Sequence, residues 1–186
     1  MGPNRTSIMR RWSLWAAAAS AVMLAVAHAF QTFGGLEPCI LCLRQREIYW
    51  AALAVGLIGY AGARLAKAPP WTNRAAAALL AAVFLLGAGV AAYHAGAEWK
   101  WWPGPAACGA GSGQGASAAD MTALLGGAKI AAPRCDEAAW VFLGLSMAGW
   151  NVLISLLLAG LSACAALCAP PPKPVSQEDA IRAALP

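Results

Sequence analysis

The residues best suited to chemistry in this sequence are its six cysteines, which fall into three pairs along the chain. In chain order these are Cys39 with Cys42, Cys108 with Cys135, and Cys164 with Cys168. The first pair forms a Cys-x-x-Cys motif within the stretch EPCILCLRQREI. Cysteine thiolates attack disulfides and pass through mixed disulfides. A Cys-x-x-Cys motif in the same chain as a second pair therefore favours thiol-disulfide exchange as the chemistry.

The Cys-x-x-Cys motif is expected to open a helix that begins near Pro38. One turn of that helix separates Cys39 from Cys42, and Arg46 follows Cys42 by four residues on the same face. A helix N-terminus and a nearby cation both favour the thiolate form of a cysteine. We therefore expect Cys42 to be held as a thiolate beside Arg46, whereas Arg44 can extend to lipid headgroups.

The composition is that of a membrane protein. Of the 186 residues, 60% are hydrophobic and only 11% are charged, whereas about 25% are charged in ordinary soluble domains. A spanning helix needs about 20 mostly apolar residues, and four stretches meet this need once the second is extended upstream to the Cys-x-x-Cys motif. The sequence predicts an all-α, four-helix transmembrane bundle over residues 1–169, with spans at about 12–34, 39–63, 75–96 and 138–165.

Basic residues orient these spans, because Lys and Arg near span ends favour the cytoplasmic side. Eight of the 13 lie in the N-terminal segment, the loop after the second span and the tail. They are Arg5, Arg10, Arg11, Arg64, Lys67, Arg74, Lys173 and Arg182. Both termini are then cytoplasmic, 170–186 is a loosely ordered cytoplasmic tail, and the loops at about 31–38 and 98–137 face outward. This topology accounts for the net charge of +5 without a nucleic-acid partner.

A secretory signal is the competing interpretation of residues 1–29. A basic segment precedes an apolar run that ends in Ala27-His28-Ala29, which resembles a cleavage site. The apolar run continues to Leu36, however, and is long enough to span a membrane. We therefore favour a retained first span.

The second outer loop combines a glycine-rich stretch with a short predicted helix. GAGSGQGAS follows Cys108 and has few side chains that can pack. Ser117-x-x-Asp120 then resembles a capping box, and the apolar residues after it favour a helix lying flat on the membrane surface. Cys108 and Cys135 flank both features, so they are either a structural staple or an exchange partner for the first pair.

Other chemistry is less favoured by the pattern. Zinc bound by the four outer thiols would need two closely spaced ligand pairs, and the second pair is not one, so we expect no metal. Cys164 and Cys168, one helical turn apart near the cytoplasmic end of the fourth span, fit buried apolar fillers. His94 is either a hydrogen-bonded helix residue or a polar group near a bound cofactor, and His28 has the same two interpretations.

Together these features resemble the DsbB family, the disulfide bond formation proteins B of bacterial inner membranes. Three stretches carry the resemblance: PCILCLRQR at the start of the second span, two cysteines in a long second outer loop, and CDEAAWVFLGLSMAGWN entering the fourth span. The resemblance covers nearly the whole chain. It implies an inner-membrane enzyme that reoxidises a periplasmic DsbA-type dithiol oxidase and reduces a quinone, ubiquinone or menaquinone.

The resemblance also implies a role for each outer cysteine. Cys39 and Cys42 resemble the pair next to the quinone, with Cys42 as the thiolate that donates to it. Cys108 resembles the sulfur attacked by the DsbA-type partner. Cys135 resembles the sulfur that passes electrons to Cys39.

Three further residues are implied to lie near the quinone. Arg46 resembles the cation beside Cys42 and the cofactor. Gln31, eight residues before Cys39, resembles a polar residue near the quinone, and His94 resembles a family histidine at the end of the third span.

Two rival functions are open on the sequence alone. A vitamin K epoxide reductase-like protein would use the same chemistry, but its Cys-x-x-Cys lies toward the last helices rather than at the start of the second. A non-enzymatic four-span scaffold with one loop disulfide would leave Cys39 and Cys42 idle. Its loop disulfide typically lies in a long first outer loop, and here that loop is short.

Overall fold

The computed structural model describes residues 11–65, 71–105, 125 and 134–167. In these residues the chain forms four helices and two short strands. They are α1 (Trp12–Thr32), α2 (Ile40–Leu65), α3 (Trp71–Glu98), β1 (Val141–Phe142), β2 (Leu145–Ser146) and α4 (Met147–Leu167). The predicted all-α class is confirmed apart from the two-residue strands. The expected surface helix after Ser117, except Leu125, and the tail at 170–186 lie outside the described residues.

Three of the described helices are long and apolar enough to cross a membrane. They are α1, α3 and α4. The helix α2 has 26 residues but begins with Arg44, Arg46 and Glu47 in its first turns, and it is not among the three. The expectation of four spans is therefore supported for three helices, and the crossing of α2 stays a prediction.

Small residues and one aromatic pair build the core where the helices meet. Tyr49 and Phe84 lie at its centre, with ring centroids 6.3 Å apart, and alanines and leucines of all four helices surround them. Trp12 of α1 donates a buried hydrogen bond of 2.9 Å to Ser162 Oγ of α4. Large apolar side chains such as Ile58 and Leu157 point outward and are exposed, as expected where lipid rather than water is the solvent.

The start of α4 differs from the expectation of a span beginning at 138. Residues 141–146 instead form an antiparallel hairpin, in which Val141 pairs with Ser146 and Phe142 with Leu145. Its two turn residues, Leu143 and Gly144, have φ of 51° and 78°, the positive values that a tight hairpin turn requires. Ser146 Oγ then accepts the Gly149 amide at 3.1 Å, which caps the helix N-terminus. Hydrophobicity alone could not locate this boundary.

Close approach of α1 and α2 depends on Gly56. A Cβ atom at this position would lie 2.7 Å from the Ser13 carbonyl oxygen and 2.9 Å from the Ala17 Cβ. Glycine lets membrane helices approach in this way. Gly62, on the same helix, has no such neighbour within 4 Å.

We expect Gly56→Val to destabilise the bundle by about 1–3 kcal/mol, the usual cost of overpacking. Gly62→Val makes the same change in helix propensity without the clash and serves as the control. Thermal unfolding of the two variants in detergent micelles measures the difference. Equal midpoints for both would show that α1 and α2 do not meet at Gly56.

Candidate active site

The cysteine end of the bundle, where α1 and α3 end and α2 and α4 begin, holds the Cys-x-x-Cys pair. Cys39 directly precedes α2 and Cys42 lies in its first turn. Both are free thiols, and their sulfurs are 3.1 Å apart. The backbone amide of Cys42 points at Cys39 Sγ from 3.4 Å, as the amide at the third helical position does toward a capping side chain.

His94 of α3 approaches the same sulfur from the other side. Its side chain is buried, and its Nε2 lies 3.6 Å from Cys39 Sγ. The same nitrogen is 3.7 Å from Glu98 Oε1, whose other oxygen accepts a hydrogen bond from Ser146 Oγ. The donors around the pair thus converge on Cys39, whereas the sequence favoured Cys42. The sequence could not show this because His94 is 55 positions away from Cys39.

A chain of buried hydrogen bonds holds His94 at its Nδ1 atom. Gln45 Nε2 is 2.9 Å from His94 Nδ1, and Asn151 Nδ2 donates to Gln45 Oε1. Tyr49 in turn donates to Asn151 Oδ1 at 2.6 Å and lies 3.0 Å from Ser155 Oγ. We name these residues, with His94, the polar chain. It joins α2, α3 and α4 through side chains that are almost fully buried.

The other members of the polar chain were not among the site residues predicted from the sequence. One signal was present, because Gln45 with Tyr49 on α2 and Asn151 with Ser155 on the apolar α4 are each spaced by four residues. Such spacing places both polar groups of a pair on one face. Polar groups in a membrane helix are costly and mark functional sites by default.

Arg46, which the sequence placed beside Cys42, directs its hydrogen bonds to α1. Its guanidinium donates one hydrogen bond to Gln31 Oε1 and one of 3.1 Å to the Ala27 carbonyl oxygen, both on α1. Gln31 and Arg46, each implied by the resemblance to lie near the quinone, are therefore hydrogen-bonded to one another, and the carbonyls at the C-terminal end of α1 attract the cation.

A cavity opens between the ends of all four helices, beside Cys39 and Cys42. Four of the predicted site residues, Cys39, Cys42, Arg46 and His94, line it. The wall contributed by α1 is apolar and includes Met23, Val26 and Phe30. The cavity thus combines one apolar wall with a few convergent polar groups, which is the usual composition of a cofactor site.

Cys135 packs directly against the Cys-x-x-Cys motif. It is fully buried, forms one apolar cluster with Cys39 and Leu41, and is disulfide-bonded. Zinc held by four outer thiolates is incompatible with a Cys135 that is oxidised. Cys108, the partner implied by the resemblance, lies outside the described residues.

Exposed ion pairs hold the segment that carries Cys135. Arg134 binds both carboxylate oxygens of Asp136 at 3.0 and 2.8 Å, and Lys100, just after α3, donates to the same carboxylate at 2.8 Å. Arg134 first, and then Lys100, hold the pKa of Asp136 well below its usual range. The carboxylate is therefore ionised at any physiological pH, and the segment is tied to the end of α3.

The remaining candidates lie apart from the cavity or bind locally. Cys164 is free and exposed near the far end of α4, rather than buried as expected, and Cys168 lies outside the described residues. His28 is satisfied within its own helix, 2.8 Å from the Leu24 carbonyl oxygen. Arg44 pairs on the surface with Glu47 at 2.9 Å.

Comparison with known proteins assigns the chain to a family. The family model described as Disulfide bond formation protein DsbB matches residues 9–165. Three relatives named Disulfide bond formation protein B align with most of the chain. The Nitrosococcus oceani protein is 32% identical over 142 residues, 76% of this chain and 82% of its own length.

The other two relatives are similarly close. The Methylococcus capsulatus protein is 36% identical over 145 residues, 76% of this chain and 84% of its own length. The Dechloromonas aromatica protein is 35% identical over 152 residues, 78% of this chain and 82% of its own length. No solved structure matches the chain with significance. With a family match that spans most of its length and three helices able to cross a membrane, this chain is a multi-pass membrane protein of the DsbB family of disulfide bond formation proteins.

Proposed function

We propose that this protein reoxidises a DsbA-type dithiol oxidase of the periplasm and passes the electrons to a membrane quinone in the bacterial inner membrane. One observation carries the proposal. The free Cys39-Cys42 pair lines a cavity with an apolar wall, and Cys39 also packs with the disulfide-bonded Cys135. A redox pair in contact with both an oxidised sulfur and an apolar-walled cavity is arranged for transfer between the two.

The electron path follows from these neighbours as a series of disulfide exchanges. The reduced partner attacks a disulfide of Cys108 and Cys135 at Cys108, becomes oxidised, and leaves that pair reduced. Cys135 then attacks Cys39 of the oxidised Cys39-Cys42 pair, and Cys42 leaves as a thiolate. When Cys108 attacks Cys135 and releases Cys39, the loop disulfide is restored and the inner pair is reduced. The described residues correspond to this state, with free thiols at 39 and 42.

The cavity fits the cofactor that this path requires. A quinone has an apolar tail, which suits the α1 wall of Met23, Val26 and Phe30, and ring oxygens, which suit hydrogen-bond donors. Arg46 supplies such donors, His94 lines the same cavity, and Gln31 holds Arg46 in place. When bound, the quinone would accept the two electrons and two protons that the dithiol releases.

The proposed topology keeps both termini in the cytoplasm and the cysteine end in the periplasm. It requires α2 to cross the membrane as the fourth span, with its first turns at the periplasmic surface. Disulfides persist in the periplasm and not in the cytoplasm, which agrees with an oxidised Cys135 at this end. A vitamin K epoxide reductase-like assignment is not needed, because the family match is to DsbB.

Replacing Cys42 by serine tests the enzymatic role. The purified protein is mixed with a reduced DsbA-type oxidase and a soluble quinone, and quinone absorbance is followed. We expect Cys42→Ser to lower turnover about a thousandfold or more, as loss of a reacting sulfur does for other nucleophiles. Cys164→Ser, which alters a free thiol at the far end of α4, should turn over normally. Wild-type turnover by Cys42→Ser would disprove the proposed function.

Replacing Arg46 by alanine tests the quinone site. We expect the apparent KM for the quinone to rise about tenfold, since a hydrogen bond from a charged donor contributes roughly 1.5–3 kcal/mol. Arg44→Ala removes the same charge two residues earlier, where the side chain is exposed and paired with Glu47. An equal effect of the two variants would exclude Arg46 from the site.

A further inference from the structure

The polar chain has a direction that the hydrogen-bonding groups impose. Tyr49 donates to the carboxamide oxygen of Asn151, which leaves the Asn151 nitrogen to donate to Gln45 Oε1. The Gln45 nitrogen therefore faces His94 Nδ1. An amide NH₂ group can only donate. His94 Nδ1 must accept, and in a neutral ring the single proton then resides on Nε2.

The protonated Nε2 is the nitrogen that faces the redox pair. It lies 3.6 Å from Cys39 Sγ and 3.7 Å from Glu98 Oε1. A ring held in the other tautomer would present a lone pair to a sulfur anion and would repel it. The orientation of one buried amide thus decides whether His94 stabilises a thiolate at Cys39.

Burial makes this orientation costly to change. Gln45, Asn151 and His94 are each less than a tenth exposed. Within the described residues, no buried side-chain nitrogen or oxygen lacks a hydrogen-bond partner. Turning the Gln45 amide alone would set its nitrogen against the Asn151 nitrogen, and an unsatisfied buried donor costs far more than an ordinary hydrogen bond contributes.

We propose that Gln45 is a positioning residue, held by Asn151 and Tyr49, that fixes His94 as a hydrogen-bond donor to the Cys39 sulfur. This inference rests on the proposed function, in which Cys39 is the leaving group when the loop disulfide is restored. In that step the Cys108-Cys135 bond forms, the Cys135-Cys39 bond breaks, and the electron pair goes to Cys39. A better stabilised thiolate leaves faster, so that His94 accelerates the handover.

Several charged or titratable groups line the same cavity as His94 and Cys39 and influence the pH dependence of thiolate formation. Glu98 is on the same helix as His94, α2 contributes Cys42, Arg46 and Tyr49, and the loops contribute Glu37, Arg134 and Glu137. Asn151 and Ser146 face the site from α4 and β2 and do not titrate. All of these groups are common to the variants compared below.

The test is the pH dependence of thiolate formation at Cys39 in the reduced, full-length protein. A small haloacetamide is added at a series of pH values, and alkylation of Cys39 and Cys42 is separated by fragment-ion mass spectrometry. Gln45→Leu removes the donor to Nδ1. We expect the pH midpoint of Cys39 alkylation to rise by about one unit in this variant, which is equivalent to losing about tenfold in thiolate stabilisation.

Gln45→Glu should shift the midpoint the other way. A carboxylate can still accept from Asn151 and also accepts a proton-bearing Nδ1, so that His94 becomes a cation that keeps Nε2–H toward the sulfur. Because this variant retains the buried bond to Asn151, it keeps the proposal testable if Gln45→Leu fails to fold. Ser162→Ala removes a buried hydrogen bond with Trp12, well outside the site, and should leave the midpoint unchanged.

Opposite shifts for leucine and glutamate support the positioning role, which a merely structural residue would not produce. An unchanged midpoint in a folded Gln45→Leu, or shifts of the same sign in both variants, would overturn it. Quinone reduction by the wild-type protein is measured in parallel. Its absence would contradict the proposed function, whereas the midpoint shifts would still decide whether Gln45 controls His94.

Discussion

The structure depends on one constraint: polar side chains inside an apolar bundle must satisfy one another. Gln45, His94 and Asn151 come from three different helices, and each can form its buried hydrogen bonds only if those helices keep their relative rotation. In hydrocarbon there is no water to compensate a lost partner. The same bonds that hold α2, α3 and α4 in register therefore also aim the imidazole at Cys39.

The two sulfurs of the Cys-x-x-Cys motif have different surroundings because the helix begins between them. Cys39 lies before the first turn of α2 and accepts the amide of Cys42, while it also faces His94 and Cys135. Cys42 is one turn later and less buried, and both cysteines line the cavity. A spacing of three residues thus leaves both cysteines at the cavity and gives Cys39 the contacts with His94 and Cys135.

Much of this could be predicted from the sequence, because composition, run length and cysteine spacing are local properties. The helix that starts after Pro38 agrees with the sequence analysis, which also singled out Gln31, Arg46 and His94 as candidate site residues. Two features could not be foreseen. The orientation of the Arg46 side chain depends on the carbonyl of Ala27 across the contact between α1 and α2. Which of the two sulfurs faces a hydrogen-bond donor depends on His94, which comes from another helix.

The hairpin before α4 shows a different limit. Its residues are as apolar as those of a span, so hydropathy assigns them to the helix. What decides the boundary is the pair of positive φ angles at Leu143 and Gly144 and the cap at Ser146. These are turn properties that an apolar run conceals.

The two neighbours of Cys39 are held with different strength, and the difference suits an exchange reaction. His94 is fixed by buried bonds, which are expensive to break. Cys135 is anchored through Lys100, Arg134 and Asp136, and the two cationic side chains are more than half exposed, where an ion pair contributes little to stability. Thiol exchange requires in-line approach of three sulfurs, so one of them must shift. In the proposed path, the rigid contact is on Cys39, the sulfur that is attacked, and the adjustable contact is on Cys135, the sulfur that must approach it.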